Sequence, residues 1–189
     1  AVLATGADEP GDAVAILGST LVLKVVSPEP VAEAETGVYS QPFGRWWLAG
    51  GASNSGGAVL RAFFDDDRLA ALTGELDPES PTGLDYYPLA APGERFPEND
   101  PGKEPRMEPR PEEEARFLQG LLEGMAAIEA AGYTRLRQLG APAARRVVTL
   151  GGGARNPAWT RIRERALGVP VIARPDAEPA AGTARLAPV

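Results

Sequence analysis

The chain has 189 residues, of which 43% are apolar, so it is long enough and hydrophobic enough for one well-packed domain. Its net charge of −7 argues against nucleic acid or an anionic membrane as the main partner, and the absence of cysteine excludes disulfides and thiol catalysis and disfavours zinc. No apolar run approaches the ~20 residues that span a bilayer, and no signal-peptide pattern is present, so we expect a cytoplasmic protein.

Two short strands are predicted near the N-terminus, over residues 13–18 and 20–26. Before them, Ala1 to Thr5 is typical of a helix end that Gly6 stops, and the missing methionine suggests a chain cut from something longer. The two strands meet at a hairpin formed by Gly18, Ser19 and Thr20. Hydroxyl groups beside a glycine can donate to phosphate oxygens, although the same residues also suit a simple turn.

Two further strands are predicted over residues 38–41 and 46–50, joined by a turn around Gly44. Trp46 and Trp47 point to opposite faces of the second of these strands, so at least one is expected in the core. The chain then enters a second Gly/Ser-rich corner, which extends from Gly50 to Gly57.

A helix is predicted over residues 58–64. The three aspartates that follow, Asp65 to Asp67, fit a solvated face better than a metal site, because consecutive carboxylates on a helix point apart. Residues 74–111 are rich in Pro, Gly and acidic residues and predict a long ordered surface loop, in which residues 84–90 are a candidate short strand.

The strongest helix prediction covers Pro111 to Ala131. Proline and three glutamates suit its first turn, and one apolar stripe is expected in the core. Gly132 is expected to close this helix, with a helical extension over residues 133–139.

A strand, a glycine turn and a helix are predicted between Val147 and Gly168. Asn156 fits the N-cap, Pro157 the first helical position and Gly168 the C-terminal cap. The turn itself contains Gly151, Gly152 and Gly153. Bare N–H groups at such a turn, with no side chain in the way, suit a flat ring or a phosphate.

This glycine spacing is neither the dinucleotide pattern nor a Walker loop, so it indicates a turn suited to a nucleoside. Many α/β proteins nevertheless have such a turn and bind nothing there. A last strand over 169–173 and a helix over 178–186 follow. Antiparallel strands first and βα units afterwards predict an α/β fold, a mixed sheet with helices on both faces.

These motifs, in this order, resemble the C-terminal domain of the FGGY carbohydrate kinases, which belong to the actin-like ATPase superfamily. The resemblance covers essentially the whole chain, and its anchors are the segments 11–20, 50–57 and 151–157. It implies an actin-like (ribonuclease H-like) domain spanning residues 1–189. It also implies transfer of the γ-phosphoryl group of ATP, with Mg²⁺, to a sugar or polyol hydroxyl. The amino-acid sequence of the first anchor is most similar to ribulokinase and xylulokinase-like members, so the implied substrate is a pentulose.

The resemblance also assigns roles to residues of this chain. Contacts to the β- and γ-phosphates are implied for Gly18, Ser19 and Thr20, and a place near the phosphates or ribose for Gly57 and Arg61. A place under the adenosine is implied for Gly151, Gly152 and Gly153, and a hydrogen bond to the base for Asn156.

The sequence departs from the family in lacking its N-terminal domain, which contains the first phosphate loop, most sugar contacts and, just upstream of the position of Ala1, the general-base aspartate. We assign that role to neither Asp8 nor Asp12, and we predict no catalytic residue in this chain, no turnover by the chain alone and at best weak ATP or ADP binding.

Two other functions remain open. The chain could be a non-catalytic actin-like module that binds nucleotide or a partner. It could also be a methyl-donor or nucleotide-binding α/β domain, in which Asp176 is the candidate for the ribose hydroxyls, although the antiparallel strands fit that fold poorly. The sequence also leaves a homodimer open.

Overall fold

A six-stranded mixed sheet lies at the centre of the structure, a computed structural model that describes residue 2 and residues 5–175. The strands are β1 (Asp12–Leu17), β2 (Leu21–Ser27), β3 (Tyr39–Phe43), β4 (Trp46–Ser53), β5 (Arg146–Leu150) and β6 (Val171–Ala173). Their order across the sheet is β3-β4-β2-β1-β5-β6. The pairs among β1 to β4 are antiparallel, whereas β5 pairs in parallel with both β1 and β6. This arrangement confirms the predicted mixed sheet with antiparallel N-terminal strands.

The strand β4 is longer than its sequence predicts, because it continues to Ser53. Gly50 and Gly51 therefore lie within the strand, and the prediction that they belong to the glycine corner is wrong. Their role is close packing, since a Cβ on Gly51 would lie 2.6 Å from the ring of Phe96. The expectation that Trp46 or Trp47 is buried is also wrong, because both are only half-buried near the sheet edge.

Two short helices replace the single helix predicted after the glycine corner. The first, α1, spans Gly57–Arg61, and the second, α2, spans Asp66–Thr73. The side chain of Asp65 accepts from the backbone N–H of Arg68, so the aspartates begin α2. They are exposed, as predicted, and acidic groups at this position also favour a helix N-terminus.

The long helix α3 spans Glu114–Gln138, so it starts three residues after Pro111 and does not end at Gly132. The prediction that this glycine closes the helix is wrong, because Gly132 serves close packing inside it. A Cβ at Gly132 would lie 2.6 Å from Leu23 and 2.7 Å from Phe96. The helical extension beyond Gly132 is confirmed.

The segment between α2 and α3 is an ordered loop, as predicted, but residues 84–90 form no strand. Its regular pairing consists of isolated bridges, including Tyr87 with Arg106. The buried amide of Gln119 on α3 fixes the start of the loop, because it donates to the carbonyls of Asp77 and Ser80.

The last described helix, α4, spans Pro157–Leu167 and packs with α3 on one face of the sheet. Along β1, Ala13 and Ala15 face these helices in the main core, whereas Val14 and Ile16 face the opposite side with Leu150. Gly168 adopts the left-handed conformation that ends α4, as predicted.

Three sequence predictions lie outside the described residues. These are the helix over 178–186, the candidate role of Asp176 and, apart from Val2 and Thr5, the N-terminal helix end. The helices of the described ranges include none with the length and apolar character that crossing a membrane requires.

Candidate nucleotide-binding site

Three turns predicted to bind nucleotide emerge from one edge of the sheet. At the end of β1, Ile16 pairs with Leu150, the last residue of β5. Next to it, Leu21 begins β2 and pairs with Ser53, the last residue of β4. The turns at 18–20, 54–56 and 151–153 therefore share the edge at which β1, β4 and β5 end. In α/β proteins, ligands bind outside the carboxyl ends of strands.

The hairpin after β1 and the corner after β4 are joined by backbone hydrogen bonds. The carbonyl of Gly18 accepts from the N–H of Gly57 at 2.9 Å, and that of Ser19 accepts from Ala58 at 3.0 Å. A Cβ at Gly57 would lie 2.8 Å from the Gly18 oxygen, so a glycine is needed for this approach. The Gly57 N–H is thus bonded within the protein, and the missing side chain of Gly57 lets the corner after β4 approach the hairpin closely.

Arg61 adds a positive charge to the hairpin. Its Nη2 donates to Oγ of the exposed Ser19 at 2.8 Å. Within the part of the chain that the structure describes, Arg61 forms no ion pair with a carboxylate. In a chain of net charge −7, the hairpin thus combines a guanidinium with the Ser19 hydroxyl, two groups that can donate to phosphate oxygens.

The third turn is packed against the end of β1. Gly151 has φ of +88°, and a Cβ there would lie 2.6 Å from the Leu17 carbonyl oxygen. A Cβ on Gly153 would lie 2.4 Å from the indole ring of Trp159. By contrast, a Cβ on the exposed Gly152 would have no atom within 4 Å. Two of the three glycines are therefore required for packing, and Gly152 borders open space.

Asn156 is the N-cap of α4, as predicted, because its Oδ1 accepts from the N–H of Trp159 at 2.9 Å. Its Nδ2 donates to Oγ1 of Thr73 at 3.1 Å. The amide is thus held between α4 and the end of α2. Sequence reasoning missed Thr73 because it did not predict α2, and a contact to a base by Asn156 stays a prediction.

Glu94 fixes the long loop to the corner after β4. Its side chain is buried and accepts from Ser53 Oγ at 2.6 Å and from the backbone N–H of Asn54 at 2.7 Å. The hydroxyl of Tyr87 also donates to it at 3.1 Å. Burial, followed by the charge of Glu94, raises the pKa of Tyr87 well above its usual range, so this phenol stays protonated. No sequence signal predicts this role, because Glu94 is one of many acidic residues in the loop over 74–111.

The sequence matches a known family over almost its full length. The C-terminal domain of the FGGY family of carbohydrate kinases matches residues 13–189. The chain belongs to this family.

Solved structures of carbohydrate kinases have the same fold as this FGGY domain. A xyloylose kinase from Brucella ovis matches with a TM-score of 0.80 and 25% identity over 98% of this chain and 40% of its own length. A xylulose kinase from Bifidobacterium adolescentis matches with a TM-score of 0.71 and 23% identity over 89% of this chain and 34% of its own. A Plasmodium falciparum glycerol kinase with ADP matches with a TM-score of 0.72 and 16% identity over 98% of this chain and 39% of its own. The FGGY domain thus spans about two-fifths or less of these chains, and their fold confirms the predicted actin-like α/β class.

The described part of the FGGY domain has no group of three or more carboxylates that could hold a metal ion. Asp65, the first of the three consecutive aspartates, is occupied by capping α2.

Proposed function

We propose that this domain is the nucleotide-binding half of an ATP-dependent carbohydrate kinase that phosphorylates a sugar hydroxyl, most specifically of a pentulose such as ribulose or xylulose. The observation that supports this function best is that three turns lie at one sheet edge, with the Arg61 guanidinium beside the Ser19 hydroxyl at one turn and open space over another. The kinases of xylulose among the similar structures support the substrate class.

In this proposal, the hairpin after β1 binds the β- and γ-phosphates. The hydroxyls of Ser19 and Thr20 donate to phosphate oxygens, and the adjacent Arg61 balances their charge. Gly57 lies beside the phosphates or ribose. Mg²⁺ compensates charge in phosphoryl transfer, and here it enters with the nucleotide, because the described residues do not form a metal site.

The adenosine lies over the turn 151–153 in the same proposal. The open side of Gly152 leaves room for a flat ring, whereas Gly151 and Gly153 keep the turn against β1. Asn156 reaches the base with the Nδ2 hydrogen that Thr73 does not take.

The general base lies upstream of Ala1 in this proposal, so the chain alone does not turn over substrate. The properties of Asp12 argue against a role for this residue as the general base. Arg146 binds it through two hydrogen bonds of 2.8 Å each, and this pairing lowers its pKa to about 2. Asp12 also begins β1, at the opposite edge of the sheet from Gly18. A carboxylate with so low a pKa is a poor proton acceptor for a sugar hydroxyl.

The test uses the intact protein that contains this chain, with ADP release measured against a panel of pentuloses, aldoses and polyols. We expect turnover of one pentulose, loss of turnover with EDTA, and none for the chain alone. Arg61→Gln should raise the KM for ATP by about tenfold, since it removes a charge-assisted contact, and Arg45→Gln should not. ADP binding without turnover of any panel sugar would favour the non-catalytic module, and absence of ADP binding would refute the proposal.

A further inference from the structure

A buried ion pair joins α4 to α3 and also contacts the end of β5, the strand that leads into the third turn. Arg163 on α4 and Glu129 on α3 each have side chains only 1% exposed. Their two hydrogen bonds are parallel, with Nε to Oε2 at 2.6 Å and Nη2 to Oε1 at 2.7 Å. The remaining amino group of the guanidinium, Nη1, donates to Oγ1 of Thr149 at 2.6 Å, and Thr149 is fully buried.

The position of this network in the chain links it to the turn. Thr149 lies on β5, two residues before Gly151, and Arg163 lies on the helix that begins directly after Asn156. The segment 150–156 therefore lies between Thr149 and Arg163, and the hydrogen bond between these two side chains ties its two ends together. Glu129 fixes that guanidinium to α3, the longest helix of the described chain.

The chemistry of the network favours positioning over stability. Burying a charged pair costs desolvation, and apolar side chains of the same size often stabilise a fold as well or better. Directional hydrogen bonds, however, fix the position of α4 in a way that apolar contacts do not: one joins Arg163 to Thr149 on β5, and two join it to Glu129 on α3. The segment 150–156 connects β5 to α4, so the placement of α4 against β5 sets the distance that this segment spans.

We propose that Thr149, Arg163 and Glu129 are positioning residues for nucleotide binding, which hold the turn 150–156 in its binding geometry before the nucleotide arrives. This inference rests on the proposed function. All three side chains are buried, so they act through the turn and do not touch the ligand. A turn that is already ordered loses less conformational entropy on binding, and this raises its affinity.

The test removes one hydroxyl group and keeps the shape of the core. In the intact protein, Thr149→Val should weaken ADP binding by about three- to tenfold, measured by calorimetry, and should raise the KM for ATP with a smaller effect on kcat. Thr149→Ser returns the hydroxyl and should restore both values. Ile162→Val, a truncation of the buried neighbour on the same helix, should cost stability without changing ADP affinity.

A second measurement does not depend on nucleotide. Hydrogen exchange of the amides in residues 150–156 should become faster in Thr149→Val than in either Thr149→Ser or Ile162→Val. Unchanged ADP affinity in Thr149→Val, or an equal loss in Ile162→Val, would overturn the positioning role even though the native protein binds ADP. If the native protein does not bind ADP, the proposed function fails. Unaltered hydrogen exchange in Thr149→Val would then also overturn the positioning role of Thr149, Arg163 and Glu129.

Discussion

Replacing Gly132 by alanine tests how the long loop is held between helix and sheet. The ring of Phe96 lies between Gly132 on α3 and Gly51 on β4, and Phe96 is completely buried. Alanine is the better helix former by about 1 kcal/mol, so an unobstructed site would gain stability. At Gly132, however, the new methyl group would lie 2.6 Å from Leu23 and 2.7 Å from Phe96, and both of these side chains are completely buried.

Overpacking of this kind costs about 1–3 kcal/mol, which exceeds or matches the helix gain. Gly132→Ala should therefore lower the free energy of unfolding by up to about 2 kcal/mol, measured by urea denaturation. Phe96→Leu opens space beside the helix, so the additional loss caused by Gly132→Ala should shrink in that background. Gly74→Ala is the matched control, since its methyl group would meet only a carbonyl at 3.7 Å. A stabilising Gly132→Ala, or a loss that Phe96→Leu leaves unchanged, would refute the packing argument.

Two buried carboxylates give further predictions. The pKa of Asp12 is lowered to about 2 by Arg146, so Asp12→Asn should cost about 2 kcal/mol of stability at pH 7. Because a lowered pKa stabilises the fold only above the unfolded value, the difference from the native protein should shrink as the pH falls from about 4 to about 2, and a difference that is constant with pH would contradict this. Glu94→Gln should lower the free energy of unfolding in urea denaturation by about 1–3 kcal/mol. The new amide places an NH₂ group against the groups of Ser53, Asn54 and Tyr87 that donate to the carboxylate. The exposed Glu98→Gln should cost little, and equal losses would contradict the role of Glu94 as an anchor.

The parts of the fold that follow from local chemistry could be predicted from the sequence. The hairpin after β1 and the start of α4 belong to this class, because a turn or cap depends on a few adjacent residues such as Asn156 and Pro157. The mixed sheet followed from the order of strand and helix patterns. The turns at 18–20 and 151–153 were located correctly for the same reason, since each interrupts an apolar run.

The errors concern residues whose roles depend on distant parts of the chain. Gly132 reads as a helix stop, but Phe96 and Leu23 on other elements require a small residue there. Gly51 reads as part of a loop because only the folded protein brings Phe96 against it. The buried network of Arg163 and Glu129 joins residues 34 apart in sequence, and nothing local distinguishes them from solvated charges.

The three glycines after β5 separate packing from binding, and alanine substitutions can measure both. At Gly151, with φ of +88° and the Leu17 oxygen 2.6 Å from a new Cβ, alanine should destabilise the fold. At Gly152, where a Cβ meets no atom within 4 Å, alanine should keep or raise stability by up to about 1 kcal/mol. If a nucleotide rests on this turn, the same methyl group occupies its place, so Gly152→Ala should weaken ADP binding in calorimetry while thermal unfolding stays unchanged or moves upward. A Gly152→Ala protein of native stability that binds ADP as well as the native protein would show that the glycine turn serves packing alone.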